Sequence, residues 1–180
     1  MPTIRETMTF DEMRAMLPQQ LKVDHLAPLT VPLHALHAMG LRYGEEQFRA
    51  KGSCVATFAV AIGTDVLWLE SKFGPASHRR LVYRFMREFL HVSGAHAYCF
   101  MSEVWVAAVD NLDDIDVLPS ERPESERDEV LLVTSFGRQG DKYLSRYLIT
   151  PSRHPGKLAW LGPRVEDDFG CACRHGLEPV

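Results

Sequence analysis

The 180-residue sequence predicts an α+β fold: an antiparallel sheet of about five strands, arranged as hairpin, helix, then meander. One main helix covers it, and one or two helices precede it. Two observations carry this expectation. The segment from Ser77 to Gly94 places Leu81, Val82, Phe85, Met86, Phe89 and Leu90 on one apolar stripe, with Arg80, Arg84, Arg87 and Glu88 mostly on the other side. The strand-like segments are also grouped rather than alternating singly with helices, which is an α+β plan and not a βα repeat.

Taken in order, Thr9-Phe10-Asp11-Glu12 has capping-box spacing and is expected to open a short helix ending before Pro18. A connector follows to Pro32, which suits the start of a second helix through Leu33, Leu36, Met39, Tyr43 and Phe48. Gly40 and Gly44 are expected to weaken or break that helix. Cys54 to Ile62 is small and β-branched, Gly63-Thr64-Asp65 makes a tight turn, and Val66 to Glu70 returns as a hairpin. Ser77 caps the main helix and Gly94 ends it.

Ala95 to Val109 is apolar on both alternating sets, the mark of a central strand covered on two faces. Asp110 to Asp128 is an acidic, proline-bearing surface loop. Glu129 to Phe136 and Lys142 to Thr150 are two further strands, and Lys157 to Leu161 a short last one. A single domain over residues 1–166 and a mobile tail over 167–180 are expected.

The composition is that of a globular chain: 46% hydrophobic, 24% charged, formal net charge -4 and pI about 6.1. Such a balance advertises no basic face, which argues against nucleic acid as a partner. No signal-peptide core and no bilayer-length apolar run is present, so a cytoplasmic location, reduced thiols and no membrane partner are expected.

Candidate chemistry falls on few residues. Cys171, Cys173 and His175 supply thiolates and an imidazole suited to zinc or copper, although this single cluster needs a fourth ligand from elsewhere. His34 and His37 are three residues apart on the second helix and, with Glu45 or Glu46, form a second, weaker metal candidate. Glu70 and Lys72 end a strand before a helix, as in a metal-dependent nuclease core. That core also needs an aspartate, and the nearby Asp65 is five residues away, an odd separation that puts it on the opposite face of a regular strand.

Glu103 lies inside the most apolar strand. A buried carboxylate needs a cation or several hydrogen bonds, and Arg127 and Arg146 are the expected partners in a buried ion-pair cluster; a catalytic base is the less expected role. No glycine-flanked serine elbow and no phosphate-binding glycine loop is present. The acidic loop is expected to be a solvated face, able to attract a basic partner or the arginine-bearing helix of a second copy.

Ser102-Glu103-Val104-Trp105, followed by Pro123 and then Arg127-Asp128-Glu129-Val130, resembles a pattern in small bacterial and phage-borne α+β proteins of unknown function. The resemblance spans roughly residues 95–150 and implies that Glu103, Trp105, Arg127 and Glu129 belong to one local arrangement. It implies no activity. The expected function is a non-enzymatic binding or assembly module, acting as a homodimer or with another protein. The alternatives are a metal-dependent hydrolase or nuclease using Glu70 and Lys72, and a structural zinc or copper protein built on the tail.

Overall fold

In the computed structural model, the structure describes residues 3–4, 31–71, 76–107, 118–150 and 159–166. The helix expected from Thr9, the position of Lys72 and the tail with Cys171, Cys173 and His175 lie outside the described residues.

The architecture is α+β. Strand β1 is Thr3–Ile4, helix α1 Leu33–Lys51, β2 Thr57–Ile62 and β3 Asp65–Ser71. Helix α2 is Ala76–Ser93, β4 Ala97–Val106, β5 Asp128–Gly137, β6 Lys142–Thr150 and β7 Trp160–Glu166. The sheet order is β1-β3-β2-β4-β5-β6-β7. Six strands form an open antiparallel run, and the two-residue β1 adds to its edge in parallel with β3.

Helix α1 begins directly after Pro32, whose carbonyl accepts the N–H groups of Ala35 and Leu36. Pro32 is extended, and its fixed φ of -60° suits the approach to a first turn. The helix stops at Gly52, where φ is 70° and the N–H returns to the Phe48 carbonyl. It runs unbroken through Gly40 and Gly44, against the expected interruption. Both glycines face the sheet: an added Cβ would meet the Cys99 Sγ at position 40 and Leu131 Cδ2 at position 44. Close packing of helix on sheet offsets their poor helix propensity.

Alternation along the strands separates two cores. Leu33, Leu36, Leu41 and Phe48 of α1 pack on Ala59, Ala61, Cys99, Met101, Leu131 and Val133. Val82, Phe85, Met86 and Phe89 of α2 pack on Phe58, Val60, Leu69, Tyr98 and Phe100, the alternate positions of the same strands. The helices therefore cover opposite faces, and the N-terminal helix is as much a covering element as the one expected. Val130, Leu132 and Leu144 form a smaller cluster on the α2 side of β5 and β6.

Three boundaries differ from expectation. β2 starts at Thr57 rather than Cys54, because the Cys54 N–H is taken by the Glu103 side chain instead of a strand ladder. β4 is shorter than expected at both ends. β7 starts later than expected and runs on through Pro163, which is tolerated at the register irregularity of this edge strand.

Candidate functional site

The α1 side of the sheet extends past the C-terminal end of α1, and polar side chains collect there. Thr57 pairs with both Glu70 and Met101, so Glu70 and Glu103 project from one face, with β2 between their strands. Trp105 follows Glu103 on that face and stands directly opposite Glu129 on β5. Burial raises the Glu103 proton affinity, the Cys54 N–H that donates to its Oε1 works against this, and the Glu129 charge adds a smaller rise. The two carboxylates and the indole form one ridge.

Trp105 is 41% exposed, unusual for a tryptophan on a covered sheet face. The Arg127 guanidinium lies over its ring, Cζ 4.4 Å from the centroid. Arg127 reaches there from the residue just before β5, and its Nη1 donates to the Ser120 carbonyl at 2.6 Å. Ser120 belongs to the first of two short turns, Pro119–Glu121 and Glu124–Glu126, neither of which has a buried residue.

Glu70 accepts a hydrogen bond from the Tyr43 hydroxyl at 3.1 Å, and the Tyr43 ring lies 4.7 Å from that of Trp68. Cys54 sits between the two acidic positions. Burial, helped by the Glu103 and Glu70 charges, pushes its thiol up to about 12. A thiol held that firmly protonated is neither a nucleophile nor a ready metal ligand.

The sequence-derived candidates separate as follows. Glu70 and Glu103 share a face, together with Trp105 and Glu129. Asp65 is on the other face from Glu70, roughly 17 Å along the strand, and the β2–β3 register carries no slip that would turn it around. Arg146 pairs with Leu132, and Leu132 with Ser102, so it projects from the α2 side, away from Glu103. The expected cluster of Glu103, Arg127 and Arg146 is thus not assembled. Its carboxylate is met by a backbone N–H, and Arg127 by an indole and a carbonyl.

One polar site was not expected. His37 is buried beneath α1 with Nδ1 2.8 Å from Ser135 Oγ and Nε2 2.9 Å from Ser145 Oγ. The serines, on β5 and β6, are 0% and 1% exposed. A neutral imidazole has one donor and one acceptor nitrogen, so one serine donates and the other accepts. Burial lowers the His37 affinity for a proton, with Glu166 acting against this and Arg164 with it. His34, its expected metal partner, is exposed on the outer side of the helix. Among the described residues no group of three or more His, Cys, Asp or Glu side chains is placed to hold a metal ion.

No described helix is long and apolar enough to cross a membrane. In comparisons with known proteins, no family model, curated protein or solved structure matches the chain.

Proposed function

We propose that this chain is a non-enzymatic binding module whose recognition surface is the Trp105 ridge, and that the partner is a protein segment carrying arginine or lysine. The carrying observation is the exposed indole with a guanidinium already on its face and Glu103 and Glu129 beside it on the sheet. That combination suits a cation from both directions, ring quadrupole and carboxylate charge. Each contact is weak at a surface, about 0.5–1 kcal/mol for the ring and about 0–1 kcal/mol per ion pair, so several must act together.

The described nucleophile candidates support a binding role over catalysis. Burial pushes the Cys54 and Cys99 thiols up to about 12, and His37 is engaged through both nitrogens by buried serines. A second copy offers exposed arginines at positions 80, 84 and 87 of α2, on the opposite face of the sheet from Trp105. Two surfaces on opposite faces favour propagating contacts over a closed pair, so a separate basic partner fits better.

The test is fluorescence anisotropy with a labelled octa-arginine peptide at low and high salt. Binding is expected to weaken with salt, and to fall about fivefold in Trp105→Ala and in the double variant Glu103→Gln, Glu129→Gln. Affinity that none of these changes alters would sink the proposal.

A further inference from the structure

Arg127 stands where the proposed partner's cation would go. Its guanidinium covers the Trp105 ring, and its one described side-chain hydrogen bond runs back to the Ser120 carbonyl, closing the segment from 120 to 127. The Nε–H beneath is buried and makes no hydrogen bond among the described residues. A guanidinium with a buried donor unmet is held less tightly than its charge allows, because that donor has lost water without gaining an acceptor. The two turns it closes bury no residue of their own. The segment carries Glu121, Glu124 and Glu126, and Arg127 joins it to the ridge through the Ser120 carbonyl and the Trp105 ring.

We propose that Arg127 is an intramolecular latch: it occupies the Trp105 ring in the free protein, and an incoming arginine displaces it and releases the 118–127 segment. The partner half of this inference rests on the binding role proposed above; the latch does not.

The experiment pairs two readouts on wild type, Arg127→Gln and Trp105→Ala. Hydrogen exchange reports the amides of residues 118–127, and octa-arginine anisotropy reports the ridge. A latch requires exchange across 118–127 to quicken severalfold in both variants, and peptide affinity to rise about fivefold to tenfold in Arg127→Gln alone. Unchanged exchange in both variants overturns the latch. So does wild-type peptide binding that Arg127→Gln leaves equal or weaker, since Arg127 would then be part of the platform. Quickened exchange with no peptide bound by any form upholds the latch and removes the basic-partner reading instead.

Discussion

Gly40 lies directly over Cys99, so close that a Cβ at position 40 would collide with the thiol sulfur. The helix backbone rests there directly on side chains of the sheet, with no side chain of its own between.

Gly40→Ala therefore sets two effects against each other. Alanine gains about 1 kcal/mol of helix propensity, while overpacking a closed core costs about 1–3 kcal/mol. Cys99 is fully buried and Met101 lies next to it, so the clash wins. Urea denaturation is expected to show net destabilisation on the order of 1 kcal/mol. Adding Cys99→Ala makes room for the methyl group, and the double variant should be more stable than the sum of the single changes.

His37 makes stability depend on pH. Burial holds its imidazole below the ordinary value of 6.5 in the folded chain, so the unfolded chain takes up the proton first. Stability from this residue is complete above about pH 6.5 and falls as pH drops from there toward the lowered folded value. The urea midpoint should decline as pH falls below about 6.5, and His37→Gln should flatten that decline. A variant whose slope matches wild type would mean that other groups carry it.

Cys54 and Cys99 should resist alkylation in the native protein. With both thiols at about 12, against an ordinary 9.0, the thiolate fraction is reduced about a thousandfold. Peptide mapping after iodoacetamide should find both unmodified until denaturant is added. Labelling of Cys54 at the rate of a free thiol would contradict the hydrogen-bonded, buried setting described for it.

The β7 edge is guarded by Pro163 and by the Arg164–Glu166 ion pair, at 2.7 Å. Pro163 lacks an N–H and charged side chains discourage a further strand. Pro163→Val with Arg164→Val should increase self-association, seen as a concentration-dependent rise in light scattering that wild type lacks.

Much of the fold was legible in the sequence because hydrophobic period carries it. The stripe from Val82 to Phe89 and the two-sided apolar run around Cys99 correspond to α2 and β4. Gly40 and Gly44 misled because local propensity cannot register that the sheet needs the missing Cβ atoms. Arg146 was expected near Glu103 because the face a strand residue occupies depends on register with its neighbours, which a single sequence leaves open. His37 had a signal that went unread: Ser135 and Ser145 are polar interruptions in apolar strands, and a histidine on the covering helix is the group able to satisfy both. For the ridge, Glu103, Trp105, Arg127 and Glu129 do lie within one small region, but the indole, not Glu103, receives the arginine.

The sheet also acts as a partition. Side chains from Phe58, Val60 and Phe100 never meet those from Ala59, Ala61 and Cys99, although they alternate along the same backbone. One half of the protein can accumulate compensating substitutions without the other half being consulted. Repacking beneath α2 is thus a route by which the chain gains robustness while the ridge and the distant His37 site on the other face keep their shape, and selection on recognition and selection on durability act on separate letters of the same strands.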